Sequence, residues 1–350
     1  MDINEFLNYN NLKLSKDKIK NLDKNKIGIL ITNLGSPDKP TYWGLYKYLS
    51  QFLGDARVVK LNRFFWLPIL YGFILPFRSG NSASKYKKIW TKEGSPLIVN
   101  TYNQYLALKK FLFAKYNSKI TITYAMRYGE RSIKKGLDDL KKENINKLLV
   151  FPLYPHSAEC TVASTLDSVC DSLRNWINVP ELRFLSGYCF HEKYIDSIKE
   201  NIEKFWRENG KGKKLIISYH GLPTKTVMNG DLYPFFCIES TNKLVQRLNL
   251  KKDDYVLAFQ SRIEGQEWIQ PYIEDIIIKL ALEGCDKIDV ICPSFSSDCL
   301  ETLEEIKISY QELFQKHCKG ELRYISCLND SKIGIDLLMS IIEENIVGWT

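Results

Sequence analysis

The sequence predicts an α/β fold in two halves of similar construction, each a parallel sheet flanked by helices. Eight short segments are largely apolar without alternation, a pattern typical of parallel strands that helices cover on both faces. Amphipathic segments alternate with these strands along nearly the whole chain, as doubly wound α/β layers require. The length of 350 residues favours about two domains.

The alternation of strands and helices runs from one end of the chain to the other. The predicted strands are 27–34, 119–125, 147–151, 182–185, 214–219, 255–259, 287–292 and 322–325. The predicted helices are 41–53, 131–143, 161–176, 192–207, 236–248, 270–283, 299–316 and 332–346. An insert over 55–118, in which no strand is evident, interrupts the first half.

This pattern divides the chain into two domains and a tail. The first domain spans 1–160, the second spans 161–330, and a C-terminal helix over 331–350 is expected to pack back on the first domain. In open α/β sheets, ligands bind beyond the carboxyl ends of the strands. The cleft between the two halves is therefore the predicted site, and the residues directly after each strand are its candidates.

Composition narrows the function classes. The hydrophobic fraction of 45% and the charged fraction of 26% are typical of a globular protein and exclude a disordered chain. The net charge of +8 is spread along the chain without an arginine-rich block, which argues against a nucleic-acid partner. A net positive charge favours an anionic surface or an anionic small molecule as the binding partner. No apolar core of signal-peptide length occurs over 1–26, so no targeting segment is predicted.

The nine cysteines have no C-x-x-C spacing. This excludes the usual zinc knuckle and redox dithiol, and it predicts free, mostly buried thiols in a reducing compartment. The most apolar stretch, 64–77, is shorter than the ~20 residues of a spanning helix and contains two prolines and a glycine. It is either part of the core or a mobile flap or membrane patch, with Arg78 on its positive rim.

Polar side chains follow several strand ends. His220 follows an apolar strand and precedes a Gly-Leu-Pro turn, while Asp298 and Glu301 follow another strand. These three are candidates for proton transfer or metal binding. Asp298 could instead cap the helix that starts near Cys299. Glu301 and Glu305 lie one turn apart, either as solvated charges at a helix start or as a file of carboxylates at the cleft.

Other strand ends are less informative. His156 also follows a strand, but its neighbours indicate no particular chemistry. Gly35 follows the first strand alone, and one glycine does not make a dinucleotide-binding fingerprint.

Seven motifs occur in order along the chain and are more specific than these patterns. They are GILITNLGSP (28–37), YKKIW with GSP (86–96), MRY (126–128), SYHGLP (218–223), GDLYP (230–234), FQSR with EWIQP (259–271) and SDCLETLEE (297–305). Together they resemble the ferrochelatases, which insert ferrous iron into protoporphyrin IX to make protoheme. The resemblance runs from about residue 27 to about residue 345.

The resemblance implies two Rossmann-like domains of chelatase type, with the active-site cleft between them. It implies that His220 binds the metal or accepts pyrrole protons, and that Glu301 faces His220 across the porphyrin plane as a ligand or proton acceptor. Asp298 and Glu305 would line a polar path behind Glu301. The porphyrin-binding positions that it implies are Asn33, Leu34, Arg78, Tyr86, Ser95, Arg127, Tyr128, Ser261 and Trp268.

The chain also departs from the family pattern. The loop over 154–164 is looser than the usual motif, and Cys299 stands where some relatives have histidine. The chain lacks the C-terminal cysteine cluster that holds a [2Fe–2S] centre in some relatives, so no cluster and no permanently bound cofactor are expected.

The partners that the resemblance implies are protoporphyrin IX and Fe²⁺, with no nucleic acid. A cytoplasmic monomer or weak dimer is expected, peripheral on the inner membrane or in contact with the enzyme of the preceding step. Two alternatives stay open: insertion of another metal or into another tetrapyrrole, and a non-catalytic porphyrin or heme carrier. Without the resemblance, a nucleotide-sugar transferase would also fit two such domains, although no diphosphate-binding loop is evident.

Overall fold

The computed structural model describes residues 3–11, 25–263 and 265–350, and their strands form two parallel sheets. The first sheet contains β1 (Ile27–Gly35), β2 (Ile120–Tyr128), β3 (Lys147–Pro152) and β4 (Glu181–Phe184), in the order β2-β1-β3-β4. The second contains β5 (Lys214–His220), β6 (Tyr255–Gln260), β7 (Lys287–Ile291) and β8 (Glu321–Ile325), in the order β6-β5-β7-β8. The two orders are equivalent, so the predicted fold class and the similar construction of the halves are confirmed.

Helices connect and cover the strands. They are α1 (Ile3–Tyr9), α2 (Tyr42–Leu53), α3 (Arg63–Ile69), α4 (Leu75–Ile89), α5 (Pro96–Tyr116), α6 (Ile133–Lys142), α7 (Ser164–Leu173), α8 (Glu192–Asn209), α9 (Thr224–Met228), α10 (Tyr233–Arg247), α11 (Ile273–Leu282), α12 (Gln311–His317) and α13 (Lys332–Asn345). Segments of π-helix directly precede three of them, at Leu70–Ile74 before α4, Glu159–Ala163 before α7 and Glu301–Tyr310 before α12.

Both faces of the central strands are buried, which explains their continuously apolar sequences. In β1, Ile29 and Ile31 point into one core cluster and Leu30 into another, as the two-residue period of a strand requires. The cluster that contains Ile29 also contains Leu215 and Ile217 of β5. One hydrophobic core is therefore shared by the two halves.

The first half extends further than the sequence predicted. β4 pairs with β3 through Leu148 and Leu182, and Leu173 of α7 packs in the same cluster as Leu30. The expected boundary after residue 160 is therefore too early, because the first sheet runs to Phe184. Helix α13 contacts both α5 and α8. The expected lack of a targeting segment concerns 1–26, most of which lies outside the described residues.

The insert over 55–118 is helical. Helix α3, the π-helical segment Leu70–Ile74 and helix α4 follow one another without a break. Leu70 and Leu75 are buried in a cluster with Leu45 of α2, whereas four phenylalanines of 64–77 are exposed: Phe64, Phe65, Phe73 and Phe77. Within the described ranges, no helix is both long enough and apolar enough to cross a membrane.

Candidate active-site cleft

A cavity with about 1000 Å³ of empty space, part of it open to solvent, lies beyond the carboxyl ends of strands from both sheets. The loops after β1, β3, β5 and β7 contribute to its wall, together with α2, α4 and the start of the π-helix Glu301–Tyr310. Most of the wall is apolar or aromatic, including Leu34, Phe52, Leu97 and Tyr154. A concave site of this kind suits a flat, largely apolar ligand.

His220 is the last residue of β5 and lines the cavity. Its Nδ1 lies 2.7 Å from the carbonyl oxygen of Gly221, to which it donates. That bond fixes the imidazole tautomer and leaves Nε2 with a free lone pair for a proton or a metal ion. The ring of Trp268 lies beside it, with 6.5 Å between the ring centroids.

Glu301 begins the π-helix and also lines the cavity. Gln260, the last residue of β6, donates from Nε2 to the Glu301 carbonyl oxygen at 2.9 Å. The amide oxygen of Gln260 accepts from the Ser218 hydroxyl at 2.7 Å, which fixes its orientation. Gln260 in β6 also lies directly beside His220 in β5. The buried Gln260 side chain therefore fixes the position of the π-helix relative to the strand end that carries His220.

Glu305 lies on the same π-helix and is held by three donors. Its carboxylate accepts from the backbone N–H of Ser261 at 2.8 Å, from the Ser261 hydroxyl at 2.5 Å and from the Tyr310 hydroxyl at 2.8 Å. Burial raises the pKa of Glu305, although these hydrogen bonds and the nearby His220 oppose the rise. Ser261, expected at the porphyrin, bonds to this carboxylate.

Asp298 lies outside the cavity wall, and its expected place on a polar path behind Glu301 stays a prediction. Its carboxylate accepts from the Tyr324 hydroxyl at 2.5 Å, from the Thr302 hydroxyl at 3.1 Å and from the Asn329 amide at 2.6 Å. It is 6% exposed and is not among the residues that line the cavity. Asp298 therefore links the start of the π-helix to β8. Its carboxylate accepts from the hydroxyl of Thr302 on the π-helix and not from a backbone N–H of that helix, so it does not act as a helix cap.

The structure brings together only some of the expected porphyrin contacts. Four of them line the cavity with His220 and Glu301: Asn33, Leu34, Tyr86 and Ser95. Trp268 lies beside His220 and is not among the residues that line the cavity. Arg78 is exposed on α4, eight residues before the buried Tyr86, which corresponds to about 12 Å along the helix axis.

Arg127 and Tyr128 are not among the residues that line the cavity, and their contact with the porphyrin stays a prediction. Arg127 Nη2 lies 2.5 Å from Asp55 Oδ2, and the Tyr128 hydroxyl donates to the same oxygen at 2.8 Å. The Ser164 hydroxyl donates there too, at 2.6 Å. These side chains form a partly buried network that fixes the end of β2 to the loop after α2.

Sequence reasoning missed most of the loop after β3. Five residues of the divergent segment 154–164 line the cavity: Tyr154, His156, Ala158, Cys160 and Thr161. His156 is fully buried, with Nε2 at 2.7 Å from the Ser240 hydroxyl, and burial lowers its pKa to about 3. It is therefore neutral at physiological pH. Its position after a strand, like that of His220, was the available signal.

The donor set at the cavity suits transient contact with a metal ion. Imidazole and carboxylate are both ligand types that ferrous iron accepts. Among the described residues, no group of three or more His, Cys, Asp or Glu side chains could hold a metal ion. All nine cysteines are free thiols.

The fold and the cleft together define the class as a two-sheet α/β protein of chelatase architecture. The structure of SirB from Bacillus subtilis with Fe³⁺ has a TM-score of 0.52 to this chain, covering 92% of this chain and 96% of SirB at 10% identity. A sirohydrochlorin chelatase SirB from a Bacillus subtilis subspecies, in complex with cobalt, has a TM-score of 0.51 at 11% identity, covering 91% of this chain and 94% of that one. At these identities the likeness shows the fold alone.

Sequence comparison defines the family. The family model described as Ferrochelatase matches residues 26–346. A ferrochelatase of Methylobacillus flagellatus is 42% identical over 336 residues, 96% of this chain and 98% of that protein. A ferrochelatase of Marinobacter nauticus is 40% identical over 335 residues, 95% of this chain and 90% of that one. The chain belongs to the ferrochelatase family.

Proposed function

We propose that this protein inserts ferrous iron into protoporphyrin IX to make protoheme, with His220 and Glu301 as the groups that contact the metal and take up pyrrole protons. Family membership supports the reaction. The observation that carries the residue assignment is that both side chains lie on the wall of one largely apolar cavity.

The chemistry of the reaction explains this site. A porphyrin is planar and mostly apolar, so it needs an apolar cleft with a few polar groups for its carboxylates. Tyr86 and Ser95 supply hydroxyls on that wall. Arg78 lies further out on α4, where a guanidinium suits a propionate.

Metal insertion must remove two pyrrole protons and take Fe²⁺ out of water. The free Nε2 lone pair of His220 can accept one proton, and the Glu301 carboxylate provides a second acceptor and a negative charge that attracts the cation. Few protein ligands reach the metal, so the metal can pass to the porphyrin nitrogens rather than stay bound to the protein.

The direct test is to incubate the purified protein with Fe²⁺ and protoporphyrin under anaerobic conditions and follow the protoheme spectrum. Turnover beyond one equivalent is expected, which a porphyrin carrier would not show. His220→Ala should lower the rate by about 10²-fold or more, the usual effect of losing a general base. His317→Ala, at an exposed helix end, is the matched control. Undiminished insertion by His220→Ala would contradict the assignment.

The choice of metal and tetrapyrrole is tested with the same preparation. Faster insertion of Co²⁺ than of Fe²⁺, or a preference for a porphyrin with more carboxylates than protoporphyrin, would favour the alternative chelatase activity. Two other expectations stay predictions. Iron and sulfide analysis tests the absence of a [2Fe–2S] cluster, and sedimentation tests the monomer or weak dimer.

We further propose that the exposed aromatic face of the insert rests on the surface of an anionic membrane. Phe64 and Phe77 are 81% and 76% exposed. The stretch 56–92 contains eight Lys and Arg and no Asp or Glu. A helix with exposed aromatic residues and basic neighbours is suited to the interface of an anionic bilayer.

Flotation with vesicles tests this contact. The protein should float with anionic vesicles at low salt and release at high salt, because screening weakens the attraction. The double variant Phe73→Asp with Phe77→Asp should abolish flotation. The control Phe113→Asp changes an exposed residue of α5 outside the insert's aromatic face and should float like the wild type. Failure of the wild-type protein to float at low salt would overturn the proposal.

A further inference from the structure

A buried carboxylate on the π-helix of the second half is paired with two lysines of the insert in the first half. The side chain of Glu304 is only 2% exposed. Its Oε1 accepts from Lys88 Nζ at 3.1 Å and from the Ser309 hydroxyl at 3.2 Å, and its Oε2 lies 3.6 Å from Lys85 Nζ. Because a buried charge is costly unless it is paired, these contacts stabilise Glu304 only while helix α4 stays against the π-helix.

The two elements that these ion pairs join also supply the wall of the cavity. Tyr86 follows Lys85 directly in α4 and lines the cavity. Glu301, which lies three residues before Glu304 in the π-helix, lines it too. A movement of α4 away from the π-helix would therefore separate Tyr86 from Glu301 and change the shape of the cleft.

We propose that Glu304 is a positioning residue for the porphyrin: with Lys85 and Lys88 it holds α4 against the π-helix and so sets the separation of Tyr86 and Glu301. The inference rests on the proposed function, which supplies the porphyrin as the ligand. Glu304 is not among the residues that line the cavity, so it acts through the two elements that it joins and not by contact with the porphyrin or the metal.

The geometry of the ion pairs fixes the position of α4 more closely than the apolar contacts beside them. Leu303 and Ile308 of the π-helix pack against the hydrophobic cluster of the insert. Apolar contacts of this kind are not directional, so they allow one helix to slide along another. Lys85 and Lys88 lie on one face of α4, and each approaches a different oxygen of Glu304. A slide of α4 in either direction would lengthen one of the two contacts.

The charge of the insert explains why its partner must come from outside. The stretch 56–92 contains eight Lys and Arg and no Asp or Glu. Near its start, Arg57 and Lys60 pair with Glu159, which also belongs to the first half. Near its end, the lysines of α4 pair with Glu304. Of these two carboxylates, Glu304 is the one that links the insert to the second half.

Porphyrin binding in the absence of metal tests the positioning role. In Glu304→Gln, Kd for protoporphyrin, measured by quenching of tryptophan fluorescence, should rise about ten-fold, because one partner of a buried charge pair between the halves is lost. KM for protoporphyrin should rise in the same proportion. The rate constant kcat should change much less, since the groups that contact the metal are unaltered.

Lysine variants of α4 provide the matched comparisons. Lys88→Met should also raise Kd, and the double variant Glu304→Gln with Lys88→Met should show little further rise, because the two side chains act as a pair. Lys87→Met removes the same charge from the neighbouring exposed position, which does not pair with Glu304, and should leave Kd and KM unchanged.

The outcomes separate the positioning role from the proposed function. If the wild-type protein binds protoporphyrin but makes no heme, the proposed function is wrong, and the comparison of Kd values still tests Glu304. If Glu304→Gln and Lys88→Met keep the wild-type Kd, or if Lys87→Met raises Kd equally, the positioning role is overturned. A fall in kcat with unchanged KM would overturn it too. Should Glu304→Gln fail to fold, Lys85→Met and Lys88→Met decide, because these side chains are 55% and 47% exposed.

Discussion

The edge strands β2 and β6 occupy equivalent positions in the two sheets, and a carboxylate lies at the carboxyl end of each. At β2, burial alone would raise the pKa of Asp55, but hydrogen bonds from Ser164 and Tyr128 and the charge of Arg127 lower it. At β6, burial raises the pKa of Glu305 and its partners only partly offset the rise. The same fold position therefore supports structure in one half and chemistry in the other, and the neighbouring side chains decide which.

The variant with the largest expected effect, Glu301→Gln, tests whether the catalytic groups lie in the second half of the molecule. Glu301→Gln keeps the size of the side chain and removes its charge from the cavity wall. Heme formation should fall by about 10²–10⁴-fold in kcat/KM, as is usual when a proton acceptor is lost. The melting temperature should stay close to that of the wild type. Glu312→Gln, one helix further along and exposed, is the control.

A substitution of Asp55, the carboxylate at the end of β2 in the first half, should lower stability rather than activity. Asp55→Ala leaves the partly buried Arg127 without its ion-pair partner, so the free energy of unfolding should fall by about 3–5 kcal/mol, measured by urea denaturation. KM for protoporphyrin in the folded variant should change little, because Arg127 and Tyr128 lie outside the cavity lining. A large rise in KM with unchanged stability would show that Arg127 contacts the porphyrin after all.

The two carboxylates should also respond to pH in opposite ways. Asp55 has a lowered pKa when folded, so its stabilisation is complete above its unfolded pKa of about 3.8 and is lost as pH falls through the folded value. Glu305 has a raised pKa, so the wild type should lose stability relative to Glu305→Gln as pH rises above about 4.5.

Thermal unfolding at a series of pH values measures how the stability contributed by each carboxylate changes with pH. The comparison pairs are the wild type with Asp55→Asn and the wild type with Glu305→Gln. Differences of the same sign in the two pairs would contradict the electrostatic contrast between the halves.

The smallest expected effect concerns a hydroxyl of the first half that lines the cavity. Tyr86→Phe keeps the packing of a buried ring and removes one hydrogen-bonding group, so KM for protoporphyrin should rise several-fold, equivalent to about 1 kcal/mol. The exposed Tyr71→Phe is the control, and steady-state kinetics measures both. A fall in kcat with unchanged KM would mean that Tyr86 takes part in the chemistry rather than in binding.

Much of the fold could be predicted because its strands are buried on both faces. Eight largely apolar segments correctly predicted the eight strands. β4 was among them, but the sequence analysis placed it in the second domain rather than in the first sheet. Pairing between β3 and β4 depends on tertiary contacts that local sequence does not encode. The insert gave no clear pattern because α3 and α4 expose Phe64 and Phe77, contrary to the usual burial of aromatic residues.

The site was predicted where motifs pointed to it and missed where partners lie far along the chain. His220 and Glu301 were identified and share the cavity. The role of Gln260 was not, since a glutamine at a strand end has no distinctive pattern. The pairing of Arg127 with Asp55 was not predicted, because Asp55 lies 72 residues earlier and only the structure brings the two together.

The position of the porphyrin in the cleft between His220 and Glu301 is best tested by an experimental structure with bound protoporphyrin. We expect the macrocycle in the cavity, with His220 Nε2 facing one side of its plane and the Glu301 carboxylate facing the other. A porphyrin bound against Arg127, or on the exposed phenylalanines of the insert with the cavity empty, would show that the cleft is not the porphyrin site.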